Sequence, residues 1–395
     1  MNGIKTQELI YLDASASTPV DQEVVNSMKQ YFNTEYGNAG SMHSKGLQAS
    51  KTLNESRSRV AQILNCKAEE VIFTASGTES INLALKGSVE KLQHKGNHIV
   101  TTKIEHHAVL DTLEYLETKG FKVTYVDVER NGIVNPEKIA EAITDKTILV
   151  SVMYVNNEIG TIQPIKEISE ITREHNVLLH TDACQAPNSE GLDVEKLGAD
   201  LLSLNGSKIY GPKGIGCLYR KQRVKLAPLI HGGGQEFKLR SGTENMPAIV
   251  GFTKALELAQ KNKSEYKEKL TKLRNKLIDG LLKIDLSILN GDLEKRVPNN
   301  VNITFLNVEG EAILLKLDEQ NICASSGSAC TSKSLDPSHV ILALSRPYEV
   351  AHGSIRFTLT KNTTETGIDK VIDLMPSLIE ELRGISPVHL TMEDI

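Results

Sequence analysis

The feature that most constrains the fold of this chain is an alternation of short apolar segments with amphipathic segments between residues 71 and 219. Some of the short segments, such as 147–154, are apolar almost throughout. Strands of that kind are buried on both faces, which is typical of a parallel sheet covered by helices. The pattern therefore predicts an α/β fold with a largely parallel sheet.

The region after about residue 250 has a different pattern. A long, lysine-rich amphipathic helix is predicted over 249–284, and 301–305 alternates like a half-exposed strand. Because 395 residues are too many for one small core, we expect two domains. We place a large domain at 15–260 and a smaller α+β domain at 1–14 together with 261–395.

Composition and charge argue against several classes of function. The net charge is −5 at pH 7, which does not favour a nucleic-acid partner. No apolar run approaches the roughly 20 residues that span a bilayer, so no membrane partner is expected. The five cysteines show no paired Cys-x-x-Cys spacing, which favours neither a disulfide framework nor a zinc site. We therefore expect no metal and a reducing, cytoplasmic location.

A lysine follows one of the predicted buried strands. Leu201 to Leu204 is apolar, and Lys208 comes just after it in a turn that contains glycine. The carboxyl ends of strands in α/β sheets open onto the ligand crevice. A lysine there is suited to form a Schiff base, although a single loop lysine is more often a solvated surface charge.

Two other strand ends carry polar groups that suit a phosphorylated pyridine ring. Asp182 ends one strand, where a carboxylate is costly unless it is paired, and a pyridinium N–H would be such a partner. Gln185 follows three residues later and could reach a phenolic oxygen. Gly77 and Thr78 lie between a strand and a helix, where backbone N–H groups bind phosphate. Both segments are also compatible with ordinary helix caps.

Three further motifs have the same ambiguity. His106 could stack on a flat ring and move protons, or could be a satisfied core or surface histidine. Asn157 could donate to an oxygen of a ligand, or could belong to a turn. Arg356 suits a carboxylate, or is a surface charge on an edge strand. Thr243, in a Ser-Gly-Thr sequence, suggests a second anion site.

The segment 324–334 contains nothing large or apolar and includes Cys330. It is interpreted as a mobile loop with one thiol, which suits a nucleophile that must move. The other cysteines lie in or beside apolar segments and are interpreted as inert; they are Cys66, Cys184, Cys217 and Cys323.

In this order, the motifs resemble the pyridoxal-phosphate-dependent cysteine desulfurases of the IscS/NifS class, within aminotransferase class V. The resemblance extends from Tyr11-Leu-Asp13 to Arg383, and 325–330 resembles the loop of the group that serves iron–sulfur assembly and tRNA thiolation. It implies a fold-type I transferase with a mostly parallel seven-stranded sheet, and a homodimer. It also implies pyridoxal 5′-phosphate as cofactor, L-cysteine as substrate and a sulfur-acceptor protein as partner.

The resemblance also implies roles for individual residues. Lys208 would hold the cofactor as a Schiff base, and His106 would stack on its ring and assist proton transfers. Arg356, with Asn157, would bind the substrate carboxylate. Cys330 would attack the substrate sulfur, leaving a persulfide on the enzyme and releasing alanine.

The remaining implied residues all contact the cofactor. Asp182 would pair with the ring nitrogen, and Gln185 and Asn157 would bond the phenolic oxygen. Thr243 would reach the phosphate in the neighbouring subunit. The phosphate of the same subunit would be held by Gly77, Thr78, Asn205, Gly206 and Ser207.

The chain departs from the family at two of these positions. The family usually has serine at 205 and histidine at 207, where this chain has Asn205 and Ser207. Both replacements can still donate hydrogen bonds to a phosphate. A selenocysteine lyase, or a scaffold that kept the fold and lost the chemistry, remains the alternative.

Overall fold

The computed structural model describes residues 9–326 and 336–394. Its strands, in chain order, are β1 (Ile10–Tyr11), β2 (Val71–Thr74), β3 (His98–Thr102), β4 (Lys122–Val126), β5 (Thr147–Ser151), β6 (Leu178–Asp182), β7 (Leu201–Asn205), β8 (Gly216–Arg220), β9 (Ser287–Leu289), β10 (Asn300–Phe305), β11 (Ile322–Cys323) and β12 (Ser354–Thr358). Its α-helices are α1 (Gln22–Met28), α2 (Gln30–Asn33), α3 (Ser44–Leu64), α4 (Gly77–Leu92), α5 (His107–Glu117), α6 (Pro136–Ala142), α7 (Ile165–Glu174), α8 (Val194–Leu197), α9 (Met246–Lys261), α10 (Lys263–Leu281), α11 (Gly310–Glu319), α12 (His339–Ala343), α13 (Tyr348–His352) and α14 (Glu365–Ile385).

A seven-stranded sheet lies at the centre of the fold, in the order β2-β8-β7-β6-β5-β3-β4. Strand β8 is antiparallel to both of its neighbours, and the other neighbouring pairs are parallel. Strands β2, β3 and β5 are buried at every residue, as expected for a sheet that is covered on both faces. The predicted mostly parallel seven-stranded sheet is confirmed.

Two small sheets lie beside this layer. One is antiparallel with the order β12-β10-β9, and the other pairs β1 with β11 in parallel. The prediction that 301–305 is half exposed is wrong, since all of β10 is buried. The reason is that its polar face lies against the large sheet's loops: the side-chain amides of Asn300 and Asn302 donate to the carbonyl of Glu158, at 3.0 and 3.2 Å.

The predicted single helix over 249–284 is in fact two helices. The chain leaves helical geometry at Asn262 (φ −95°, ψ 8°), between α9 and α10. Helix α9 places Phe252 in the core around the large sheet, whereas α10 places Leu277 in the core around β10 and β12. The break lets successive helices turn their apolar faces toward different cores.

Each of the two cores draws on several parts of the chain. Leu12 belongs to the core around β10 and β12, while Val340, Ile341 and Leu344 of the α12 region belong to the core around the large sheet. The domain boundaries near residues 14 and 260 stay a prediction. Within 9–326 and 336–394, no helix has the length and apolar character needed to cross a membrane.

Candidate active site

The carboxyl ends of β5, β6 and β7 open onto one side of the large sheet, and the predicted site residues follow them. Asp182 is the last residue of β6, Asn205 is the last residue of β7, and Lys208 follows in the next turn. The charges of both Asp182 and Lys208 act on the pKa of His106 and of Cys184. These groups therefore lie close enough together at this edge of the sheet for their charges to interact.

Asp182 is buried, with 6% of its surface exposed. Its Oδ1 accepts a hydrogen bond from the backbone N–H of Cys184 at 2.9 Å. No helix starts at that point, so the interpretation of Asp182 as a helix cap is wrong. Beneath it, His180 is held between Ser151 Oγ (2.8 Å) and Ser203 Oγ (3.0 Å), and burial lowers the pKa of His180 to about 4. The Asp182 carboxylate thus lies over a neutral imidazole.

His106 caps the first turn of α5. Its Nδ1 accepts the backbone N–H of Ala108 at 3.0 Å, which assigns the proton of the neutral ring to Nε2. Burial lowers the pKa of His106, against an opposing effect of the Asp182 charge. The ring is therefore neutral at pH 7, and it combines the capping role with a position beside Asp182.

Lys208 lies in a turn that is tied to the N-terminal part of the chain. Its Nζ donates to the carbonyl of Ala16, and its own carbonyl accepts from Asn188 Nδ2 at 2.8 Å. Thr18 donates twice to the carbonyl of Ser207, from its N–H at 2.9 Å and from Oγ1 at 3.0 Å. Lys208 is thus half-buried and tied to the N-terminal segment, and its role in a Schiff base stays a prediction.

The two residues that depart from the family pattern contact each other. Ser207 Oγ donates to Asn205 Oδ1 at 3.1 Å. A Cβ on Gly206 would lie 2.6 Å from the carbonyl of Pro212, so the turn requires glycine. A Cβ on Gly77 would lie 2.8 Å from Cys184 Sγ and 3.2 Å from Asn205 Cβ, so the start of α4 packs directly on this turn.

The phosphate-binding residues predicted on α4 lie at its N-terminus. Ser76 caps the helix by accepting the N–H of Glu79 at 3.0 Å, and Gly77 and Thr78 are the first two helical residues. Capping and anion binding are compatible here, because a cap uses only one of the four N–H groups that a helix start leaves open. Arg240 Nε donates to Glu79 Oε1 at 2.9 Å, which attaches the segment of Thr243 to the same helix. Thr243 itself is exposed.

The segment before Thr243 is strained. Three successive non-glycine residues have left-handed backbone angles: Glu236 (φ 45°), Phe237 (φ 57°) and Lys238 (φ 65°). A buried ion pair holds them, in which Arg57 contacts both carboxylate oxygens of Glu236 at 2.7 Å. The same carboxylate accepts the N–H of Phe73 at 2.8 Å. The shape of this segment therefore depends on one buried pair.

Arg356 is buried on β12, with 3% exposure, so the interpretation as a surface charge is wrong. One terminal nitrogen donates to Asp13 Oδ1 at 2.8 Å, and the other donates to the carbonyl of Asn157 at 3.2 Å. Its Nε has no hydrogen-bond partner in the described structure. Asn157 lies in a turn, as one of its two interpretations predicts, and the side chain of the preceding Asn156 accepts the N–H of Glu158 at 2.8 Å.

Sequence reasoning missed the role of 13–18 as one side of this pocket. Residues of this segment contact Lys208, Ser207 and Arg356, and the carbonyl of Ser15 accepts from Gln185 Nε2 at 3.1 Å. Its only signal in the sequence is a carboxylate, Asp13, directly after a short apolar strand.

Two buried carboxyl groups were also missed. Glu105 Oε1 accepts from Thr102 Oγ1 at 2.6 Å and from the N–H of Met153 at 3.0 Å, while Oε2 has no partner in the described structure. Burial raises the pKa of Glu105 to about 8 and that of Glu158 to about 7. Each is the sequence neighbour of a predicted site residue.

Cys330, predicted to be the nucleophile, lies outside the described residues. The four other cysteines are described, and all have raised thiol pKa values, mainly through burial. Burial raises the pKa of Cys66 to about 12, and it raises those of Cys184, Cys217 and Cys323. These thiols are poor nucleophiles at neutral pH.

The described residues fit pyridoxal phosphate. Lys208 supplies an amine beside a buried carboxylate, Asp182, which suits a protonated ring nitrogen. The start of α4 supplies open backbone N–H groups for a phosphate, and it packs directly on the turn at Asn205 to Ser207. The orphaned Nε of Arg356 can take a further acceptor oxygen.

This fold and site define a member of the aminotransferase class-V family. The family model matches residues 10–371, and the chain belongs to that family. Among its relatives is the cysteine desulfurase IscS of Clostridium botulinum strain Hall, which is 50% identical over 382 residues, or 96% of each chain.

Solved structures agree with this assignment. A NifS-like protein, 37% identical, superposes with a TM-score of 0.89 over 96% of this chain and 100% of that one. SspA, solved in complex with cysteine, is 35% identical and has a TM-score of 0.79 over 89% of this chain and 98% of that one. The predicted family and fold-type I architecture are confirmed.

Proposed function

We propose that this chain converts L-cysteine to L-alanine and takes up the sulfur as a persulfide on Cys330. By family and near-full-length similarity it is a cysteine desulfurase that uses pyridoxal phosphate. The observation that carries the residue assignments is the position of His106, Asp182 and Lys208 at or just after the carboxyl ends of β3, β6 and β7, where the charges of Asp182 and Lys208 both act on His106. A scaffold that had lost the chemistry would not need to retain these three groups together.

The cofactor, when bound, supplies an electron-withdrawing ring that stabilises negative charge on the substrate and weakens its carbon–sulfur bond. Lys208 would hold it through its amine, and Asp182 would keep the ring nitrogen protonated. His106, neutral with its proton on Nε2, would lie against the ring and exchange protons with the substrate. Gln185 and Asn157 would donate to the phenolic oxygen. Phosphate contacts would come from Gly77, Thr78, Asn205, Gly206 and Ser207.

Arg356 would bind the substrate carboxylate. Its guanidinium is buried, and Asp13 and the carbonyl of Asn157 fix its orientation before any substrate arrives. Arginine presents its N–H groups in a planar fork that matches a carboxylate. Asn157 would add a side-chain amide to the same group.

The sulfur-transfer step balances with one thiol. The Cys330 sulfur bonds to the substrate sulfur as the substrate carbon–sulfur bond breaks. The electron pair of that bond stays on the carbon fragment, which takes up a proton and leaves as alanine. The raised pKa values of the four described cysteines support Cys330 as the attacking group.

We further propose that the sulfur passes to an acceptor protein for iron–sulfur cluster assembly or tRNA thiolation, in the cytoplasm. The resemblance of 325–330 to the corresponding family loop supports this. We also propose a homodimer in which Thr243 reaches the phosphate bound by the partner. Its exposure in the single chain supports that arrangement.

The test is to incubate the purified protein with L-cysteine, quantify alanine, and locate added sulfur by mass spectrometry. Lys208→Ala should lose turnover and the absorbance near ~420 nm that a lysine Schiff base with this cofactor gives. Cys330→Ser should keep the absorbance and form no persulfide, and Cys323→Ser serves as the matched control that retains both. Persulfide on Cys330→Ser protein would contradict the assignment. Parallel assays with selenocysteine separate desulfurase from selenocysteine lyase activity.

A further inference from the structure

The chain is fixed to the active site on both sides of the stretch that contains Cys330. Before this stretch, Ser325 forms a two-way backbone bridge with Arg356: Ser325 N–H donates to Arg356 O at 3.1 Å, and Arg356 N–H donates to Ser325 O at 2.7 Å. After it, Ser338 Oγ donates to Glu158 Oε2, and His339 Nε2 donates to Glu105 O at 2.9 Å. One of these three partners is Arg356 itself. The other two, Glu158 and Glu105, are the sequence neighbours of Asn157 and His106.

The contact between Ser338 and Glu158 is fully buried, with 4% exposure at each residue. Ser338 Oγ also accepts the N–H groups of Val340 and Ile341, at 3.1 and 3.3 Å, as the cap of α12. The hydroxyl proton is therefore directed to Glu158. Val340 and Ile341 are packed in the core around the large sheet. The chain is therefore held in one position from Ser338 onward.

Glu158 is held equally firmly from its other side. Its carbonyl accepts the amides of Asn300 and Asn302 on β10, and its N–H donates to Asn156 Oδ1. A buried carboxyl is costly unless its own oxygens are hydrogen-bonded, and Ser338 supplies such a bond to the Glu158 side chain. The residue roles proposed above assign no substrate or cofactor contact to Glu158. They therefore do not explain why a carboxyl stands at this position.

We propose that Glu158 and Ser338 are positioning residues for sulfur transfer, which fix the chain beyond Cys330 next to the substrate-binding Asn157. The inference rests on the proposed function. A reacting group whose chain is fixed at both ends samples a smaller volume, and its effective concentration at the target rises. Release of one end slows the attack of the thiol and leaves the earlier, cofactor-dependent steps unchanged.

The test separates these steps in single turnovers with L-cysteine. Exchange of the substrate α-hydrogen with solvent deuterium reports the step before transfer, and persulfide on Cys330 reports transfer itself. In Ser338→Ala and in Glu158→Ala we expect the persulfide rate to fall about tenfold, with α-hydrogen exchange within about twofold of wild type. Ser338→Thr and Glu158→Gln, which keep a donor and an acceptor, restore the rate.

The control for helix destabilisation is a variant that removes the N-terminal cap of a different helix. Asn135→Ala removes the cap of α6 and should change neither rate. Amide hydrogen exchange of the peptide 338–344, measured without substrate, should accelerate in Ser338→Ala and Glu158→Ala and be normal in Ser338→Thr. This readout does not depend on turnover.

Unchanged persulfide rates in both alanine variants would overturn the inference, as would an equal loss of both rates. If wild-type protein itself forms alanine but places no sulfur on Cys330, the proposed function fails instead. The amide exchange of 338–344 then still shows whether the Ser338 contact holds this end of the chain.

Discussion

The sharpest prediction concerns Glu105, whose carboxyl is wholly enclosed between β3 and β5. Burial, with a smaller effect of the Asp182 charge, raises its pKa from 4.5 to about 8. In the unfolded chain this carboxyl is ionised above pH 4.5, so the folded state holds one more proton from there up to about pH 8. The free energy of unfolding therefore falls by about 1.4 kcal/mol per pH unit in this interval. The total loss is about 5 kcal/mol, complete near pH 8.

Glu105→Gln removes this pH dependence, because an amide does not ionise. Its Oε1 can keep the bonds from Thr102 and Met153, but its Nε2 replaces an oxygen that has no partner, at a cost of about 1–3 kcal/mol. The variant should be less stable than wild type at pH 5 and more stable at pH 8.

Urea titrations at several pH values between 5 and 9 measure both stability profiles, and we expect the two to cross. Glu294→Gln, a change at an exposed glutamate, is the matched control and should run parallel to wild type. If the Glu105→Gln and wild-type profiles are parallel too, Glu105 is ionised in the folded state and the reasoning from burial is wrong.

Three further changes test the surroundings of the site. Glu236→Ala leaves the Arg57 guanidinium buried without its carboxylate and should lower the free energy of unfolding by about 3–5 kcal/mol, as measured by urea titration. Adding Arg57→Met to the same chain should recover most of this loss. A loss below about 1 kcal/mol in Glu236→Ala would show that the pair is not needed. Gly77→Ala places a Cβ 2.8 Å from Cys184 Sγ and should weaken pyridoxal phosphate binding about tenfold, as measured by fluorescence titration. The double variant Gly77→Ala/Cys184→Ala should recover part of the affinity. Ser207→Ala removes the hydroxyl that donates to Asn205 Oδ1 and orients this amide, and it should weaken the same binding about tenfold. Equal affinity would remove Ser207 from the phosphate site.

Local sequence patterns were sufficient for much of the fold and for the residues at strand ends. The continuous apolar strands predicted the parallel sheet, because burial on both faces removes the polar alternation. Lys208 and Asp182 could be placed because their position after a strand already determines which crevice they face. At the start of α4 the predicted cap is confirmed, since Ser76 caps the helix, while phosphate binding by Gly77 and Thr78 stays a prediction.

Contacts between distant parts of the chain could not be predicted in this way. The pairing of Asp13 with Arg356 joins residues 343 positions apart, and the N–H of Met153 reaches Glu105 across 48 positions. The prediction that the strand at 301–305 is half exposed was wrong for the same reason. Its polar face is covered by a carbonyl of Glu158 in another part of the fold, which no local pattern encodes.

The parallel pairing of β1 with β11 has a practical consequence for anyone who handles this protein. Ile10 lies opposite Ile322, and Tyr11 lies opposite Cys323, only a few residues before Ser325. A deletion through Tyr11 would remove the strand that pairs with β11, a few residues before the segment that contains the proposed nucleophile Cys330. Affinity tags and truncations are thus best designed at the opposite terminus, and an N-terminally shortened preparation that binds cofactor normally should still be checked for slow sulfur release.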